Sequence, residues 1–269
     1  MSNVSFTSET RVGDVVREFA QTARVFESHG IDFCCGGKRS LAEACNGKGV
    51  SADALIQELA QAASVQSSHR TDYDQWSPTR LAQHIVTQHH GYIRSYLPDI
   101  LKFTQRVADV HGDRFAYLGE IAQTARRLGD ELTSHMMKEE RILFPFIQAM
   151  DEAQQSGGQM PLAMFGSVCN PIRMMEHEHD EAGALLKRLR ELSSDYDPPR
   201  EACTTWSVSW QMLKAFEEDL HLHIHLENNI LFPKAAELER HLSDPNDPQL
   251  SCGCCAVPPP SATTVSSAS

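Results

Sequence analysis

The chain has 269 residues, 41% hydrophobic and 22% charged, ordinary values for a soluble globular protein with room for one sizeable core and a small extra domain. A net charge of −12 without any Lys/Arg-rich cluster argues against a phosphate-tracking surface, so no nucleic-acid partner is expected. No apolar run approaches the ~20 residues that cross a bilayer, and the start MSNVSFTSET lacks the cationic and apolar parts of a secretory signal. The eight cysteines are therefore expected as reduced thiols used for metal or redox work, in the cytoplasm and away from membranes.

Almost every segment reads as helix. Val12, Val15, Val16, Phe19, Ala23 and Phe26 recur at helical spacing, and Gly30 ends the run. Ile31-Asp-Phe-Cys34-Cys35-Gly36-Gly37 is too glycine-rich for a helix interior. Ser40 with Glu43 makes a capping box for a short helix that stops at Asn46-Gly47, and Ser51 can cap a third carrying Leu55, Ile56 and Leu59. These helices form a small domain over residues 1–70, closed by a polar linker around 64–74.

Ser77-Pro78 opens a second domain with an N-cap followed by proline at the first helical position. The helix it starts runs to about Val110, with Pro98 as a possible kink. A second helix spans about Arg114 to Met150. Asn170-Pro171 repeats the cap-plus-proline device for a third, ending near Ser193, and a fourth runs from about Glu201 to Arg240. No useful strand alternation is present. The expected fold is all-α: a small helical domain, then an up-down four-helix bundle over 77–240. The tail 241–269, rich in Pro, Ser and Thr and containing Cys252, Cys254 and Cys255, is expected to be disordered.

One phrase occurs twice: His135-Met-Met-Lys-Glu139 followed by Ile142-Leu143-Phe144-Pro145, and His223-Ile-His-Leu-Glu227 followed by Ile230-Leu231-Phe232-Pro233. Residues four apart share a helix face, so each copy aims an imidazole and a carboxylate at one spot. Such groups are poor core residues unless something pairs them, and the repeat points to metal. A bundle-core site also draws on the other two helices. On the first, His84 lies at core-facing spacing with Leu81, Ile85 and Tyr92, ahead of His89 and His90. On the third, His177 and His179 stand about 200° apart around the helix, and His179 is preferred.

His221 and His225 form a competing pair on nearly the opposite face of the fourth helix, but only His223 and Glu227 align with the first copy; the other two are expected as solvated surface. The resulting ligand set is His84, His135, Glu139, His179, His223 and Glu227. If each glutamate bridges, two ions each receive two imidazoles and two carboxylate oxygens, a donor set suited to iron that manganese, cobalt or zinc could also occupy.

His-x3-Glu pairs on helical hairpins resemble the hemerythrin-like His-His-Glu domain. Asp32-Phe-Cys-Cys-Gly-Gly37, His135-Met-Met-Lys-Glu-Glu140, Glu178-His-Asp-Glu-Ala-Gly183, Glu201-Ala-Cys-Thr-Thr-Trp206 and Leu226-Glu-Asn-Asn-Ile-Leu-Phe-Pro233 resemble the repair-of-iron-centres family (YtfE/ScdA type), over about residues 8 to 238. The resemblance implies a hemerythrin-like bundle with an ScdA-type Cys-Cys domain, and the six ligands above. It implies two iron ions per chain, oxo- or hydroxo-bridged when oxidised, and a cytoplasmic homodimer that restores iron–sulfur clusters after nitrosative or oxidative stress. Damaged or apo iron–sulfur proteins are then the partners. The tail and the histidines at 177, 221 and 225 exceed the family pattern.

Cys34 and Cys35 are adjacent, which disfavours one closed tetrahedral site from that pair alone. Exposed, they could exchange disulfides or pass iron on. Cys45 belongs to the same region or is buried as a small hydrophobe, and Cys169 and Cys203 are expected in packing roles. Two further functions fit the same site: a di-iron oxidoreductase acting on nitric oxide or a peroxide, for which the chain has no flavin or nucleotide motif, and a module that binds or senses dioxygen or nitric oxide.

Overall fold

The computed structural model describes residues 6–64 and 72–243; the cysteines of the tail lie outside them. No strand forms among the described residues, and an isolated bridge pairs Arg11 with Ser40. The small first domain holds α1 (Val12–Glu18), α2 (Ala23–Ser28), α3 (Leu41–Cys45) and α4 (Ala52–Ser64). The apolar periodicity from Val12 to Phe26 reads as one helix, but the chain breaks at Phe19, whose φ of −134° and ψ of 80° leave the helical region. A single 3₁₀ turn, Ala20–Thr22, restores the register, so Val12, Val16 and Phe26 still face one core with Leu41, Leu55 and Leu59.

The expected caps form. Ser40 Oγ accepts from Glu43 N at 3.2 Å while Glu43 Oε2 accepts from Ser40 N at 2.9 Å. Ser51 and Ser77 each take a backbone N–H three residues on, at 3.2 Å. Asn170 behaves differently: α9 starts at Cys169, one residue before it. Glu239 serves that helix start instead, accepting from Val168 N at 2.7 Å and Ser167 Oγ at 2.6 Å.

Four long helical runs make the bundle. The first is α5 (Pro78–Ile85), a π turn Val86–His90 and α6 (Gly91–His111), and it continues through Pro98. The second is α7 (Tyr117–Lys138), a π turn Glu139–Leu143 and α8 (Phe144–Ser156). The third is α9 (Cys169–Leu192). The fourth is α10 (Thr204–Leu226), a π turn Glu227–Leu231 and α11 (Phe232–Leu242). Helix α6 packs on α7 and α10, α7 on α9, and α8 on α5 and α11.

Two apolar cores occupy the two ends of this bundle. One gathers Leu81, Ile85, Ile147, Met150, Leu231 and Phe232. The other gathers Ile93, Leu128, Leu186, Trp206, Trp210 and Phe216, and is continuous with the first domain. Each such fully buried side chain contributes about 1.5–3 kcal/mol, ample support for a polar layer between them. The Ile-Leu-Phe-Pro phrases supply part of the first core. Each π turn starts or ends at a buried histidine or glutamate of that polar layer: His90, Glu139 and Glu227.

Candidate metal centre

Glu139 and Glu227 face each other at the middle of the bundle, both fully buried. Around them stand four imidazoles: His90, His135, His179 and His223, all at most 3% exposed. His90 Nε2 and His135 Nε2 each lie 3.3 Å from Glu139 Oε2. His179 Nε2 lies 3.1 Å from Glu227 Oε2, and His223 Nε2 3.0 Å from Glu227 Oε1. Two overlapping groups of possible ligands result, His90-Glu139-His223-Glu227 and His135-Glu139-His179-Glu227, with both glutamates common to both.

The outer ring nitrogens show what the inner ones carry. His90 Nδ1 donates to Glu140 Oε1 at 2.6 Å, and His135 Nδ1 to Glu178 Oε2 at 2.9 Å. Ionised carboxylates only accept, so these Nδ1 atoms hold the proton. His179 Nδ1 pairs with Asn228 Oδ1 at 2.9 Å. In a neutral imidazole, Nε2 is then a bare lone pair. Lone pairs of His135 and His179, 3.2 Å apart, would face each other and two carboxylates. Among the described residues, no hydrogen bond reaches Glu139 Oε1 or Oε2, Glu227 Oε2 or His90 Nε2. Acceptors converging in a dry layer require positive charge, from protons or from metal ions. Metal-bound histidines characteristically donate their other N–H to such outer carboxylates and carbonyls, so the donor set fits a cation.

Charge in the layer is shared accordingly. Burial opposes protonation of His135, but Glu139, Glu178 and Glu227 outweigh it and raise its pKa to about 10. For His90 burial is likewise outweighed, mainly by Glu139. His223 goes the other way, because burial dominates. Burial would also raise the glutamates, yet the imidazoles hold Glu227 well below the usual carboxylate range and Glu139 below it. The hydrogen bond from His135 comes first among the causes that bring Glu178 down to about 2.

His84 is not brought to the centre. It is half-buried among rings, 5.4 Å from that of Tyr73 and 5.1 Å from that of Trp76, and its Nε2 is 3.4 Å from Tyr73 Oη. The structure puts His90 where the spacing argument puts His84. The π turn Val86–His90 is the reason: one extra residue in a turn rotates everything beyond it by about 100° relative to an uninterrupted helix. The signal for His90 lies downstream, in Ile93, Ile100 and Val107, all buried; the face they define includes His90. His89 is also buried, stacked 5.5 Å from the His223 ring and bonded through Nδ1 to Asp219 at 3.0 Å.

The other five expected residues, His135, Glu139, His179, His223 and Glu227, come together in this layer. His177 is on the surface beside Glu181.

Residues 81–235 match the model of the hemerythrin HHE cation-binding domain. The chain belongs to the hemerythrin HHE family. Residues 8–63 match a second model, described as a domain of unknown function (DUF542) and called ScdA_N. Among curated relatives, the iron–sulfur cluster repair protein YtfE of Dickeya chrysanthemi is 38% identical over 224 residues, covering 83% of this chain and 95% of its own. The proteins of the same name from Cronobacter sakazakii and Escherichia coli are 34% and 35% identical, covering 85% and 83% of this chain and 97% and 95% of theirs. No helix of the described residues is long and apolar enough to cross a membrane.

Against the HHE bundle sits the Cys-Cys loop. Asp32 Oδ1 shapes it, accepting from Cys34 N at 3.0 Å, Cys35 N at 2.9 Å and Cys34 Sγ at 3.2 Å. The two Sγ atoms lie 3.9 Å apart, so the adjacent thiols converge rather than diverge, and with Asp32 form a further group of possible ligands. Cys34 is buried and Cys35 partly exposed, so only Cys35 meets the condition of exposure set for thiol exchange. The hydrogen bond with Cys35, then burial and the Asp32 charge, push the Cys34 thiol up, so it stays protonated. A cleft of about 510 Å³ opens beside the pair, lined also by Lys187, Arg190 and His221.

The expected solvated surface for His221 and His225 is overturned here, because the first domain covers that face. His225 is 2% exposed, 5.8 Å from the Phe33 ring, and burial lowers its pKa to about 4. His221 lies 5.9 Å from the same ring. Cys45 is buried, Cys203 is exposed with its Sγ 3.3 Å from His111 Nε2, and Cys169 is buried and disulfide-bonded rather than reduced as expected.

Proposed function

We propose that this chain repairs damaged iron–sulfur clusters by holding two iron ions in the HHE layer and surrendering iron to a damaged or apo cluster protein. The ions would sit between His90 and His223 and between His135 and His179, shared by Glu139 and Glu227. The observation that carries this reading is the convergence of bare imidazole and carboxylate acceptors in two groups with common glutamates. A nitrogen and oxygen donor set without thiolate suits iron. The relatives' name, iron–sulfur cluster repair protein, supports the target.

As cargo, ferrous iron is held loosely. Two glutamates leave about two of the four positive charges of a ferrous pair uncompensated by side chains in a partly dry layer. Four-glutamate ferritin-like sites neutralise such a pair. Cys34 and Cys35 lie outside the ligand groups of the layer, and their role is thiol exchange or iron transfer towards the target. The family resemblance supports a cytoplasmic homodimer acting in nitrosative and oxidative stress.

A second reading has a small ligand such as nitric oxide, dioxygen or a peroxide bound or reduced at the same layer. A cleft of about 220 Å³ bordered by His135, Lys138, Glu178 and His179 favours it. The two readings separate on iron release. After anaerobic reduction, iron should pass to a ferrous chelator much faster than it leaves the oxidised protein for a ferric chelator. Equally slow release in both states overturns donation and transfers the weight to the small-ligand chemistry.

A further inference from the structure

The Cys-Cys loop and the metal layer meet at two consecutive side chains of the π turn Glu227–Leu231. Asn228, 8% exposed, places Oδ1 2.9 Å from His179 Nδ1 and Nδ2 3.4 Å from the carbonyl of Cys34. Asn229 Nδ2 reaches the same carbonyl at 3.1 Å and that of Phe33 at 3.4 Å. Glycines make room for this contact: a Cβ on Gly13 or Gly37 would stand 2.5 or 2.4 Å from Asn229 Oδ1. The loop is seated on the asparagines.

A carboxamide has a donating end and an accepting end. The carbonyl of Cys34 can only accept, so Asn228 must turn its amino group to it and its oxygen to His179. That orientation requires the proton of His179 on Nδ1. A cation on Nε2 enforces the same tautomer, since the coordinating nitrogen must carry a free lone pair. With no cation, that tautomer is no longer enforced, and Nε2 is free to carry the proton 3.1 Å from Glu227 Oε2. Nδ1 then becomes an acceptor. Asn228 turns over to donate to it, and its oxygen opposes the Cys34 carbonyl.

We propose that Asn228 is a positioning residue that couples metal occupancy at His179 to the closure of the Cys34–Cys35 loop. Filling the layer fastens the loop and shields the thiols. Emptying it replaces a hydrogen bond at Cys34 by a repulsion and loosens them, so that the thiols open when iron has left. The inference rests on the metal reading above.

The test is anaerobic alkylation of the full chain by iodoacetamide, resolved by peptide mass spectrometry, in metal-free protein and in protein loaded with ferrous iron of measured content. Cys203 serves as an internal reference. Loading should slow modification of Cys34 and Cys35 several-fold, up to about tenfold, the range that one hydrogen bond can gate, and leave Cys203 unchanged. Asn228→Asp keeps an acceptor for His179 but cannot donate to Cys34. It should retain the iron and react fast in both states.

Equal rates at full iron content in the wild type overturn the coupling. So does protection that persists in Asn228→Asp, which would mean that iron shields the thiols by binding the Asp32, Cys34 and Cys35 group directly. Failure of the wild type to take up iron in the layer instead overturns the metal reading, and the coupling with it.

Discussion

His90 Nε2 and Glu139 Oε2 stand 3.3 Å apart in the dry middle of the bundle, both side chains fully buried, and His84 lies six residues away against Tyr73 and Trp76. His90→Ala should therefore lose roughly one of the two iron ions, and His84→Ala should keep both. Elemental analysis of protein from iron-replete growth reads this directly. Loss of iron from His84→Ala with retention in His90→Ala would return the ligand to the position that simple helical spacing selects.

That pair also shows where reading the sequence succeeds and where it stops. His135, Glu139, His223 and Glu227 are legible because a repeat fixes them, whatever the local helix geometry. His90 is legible only from the downstream stripe Ile93, Ile100 and Val107, because a π turn changes the register between Ile85 and Ile93 and the stripe upstream of it selects His84 instead. Caps such as Ser40 with Glu43 are local in sequence and are read correctly. The cap on α9 comes from Glu239, 71 positions from Val168, and no local pattern can announce it. The burial of His225 likewise depends on a separate domain folding over it.

The seat of the first domain should be sensitive to a single methyl group. A Cβ on Gly37 would lie 2.4 Å from Asn229 Oδ1 and 2.8 Å from the backbone oxygen of Phe33. The carbonyl cannot swing aside as a flexible side chain would. Gly37→Ala should cost roughly 1–3 kcal/mol and make the first domain more susceptible to limited proteolysis. Unchanged thermal unfolding and unchanged cleavage would mean that the asparagine seat does not hold the domains together.

Cys34→Ser with Cys35→Ser should leave the iron content of the bundle nearly intact and impair repair, because neither thiol belongs to the His/Glu groups of the layer. Iron content and recovery of a damaged cluster enzyme are measured on the same preparation. Repair equal to the wild type would reduce the first domain to a docking or folding role.

The central claim is that iron leaves this bundle for the damaged protein. The direct measurement loads the chain with isotopically labelled iron, incubates it anaerobically with a nitric-oxide-damaged cluster enzyme, and follows both activity recovery and the label. Recovery with labelled iron in the rebuilt cluster is the expected result. Recovery with no label in the cluster, or label retained in the bundle while the enzyme stays inactive, would contradict iron donation.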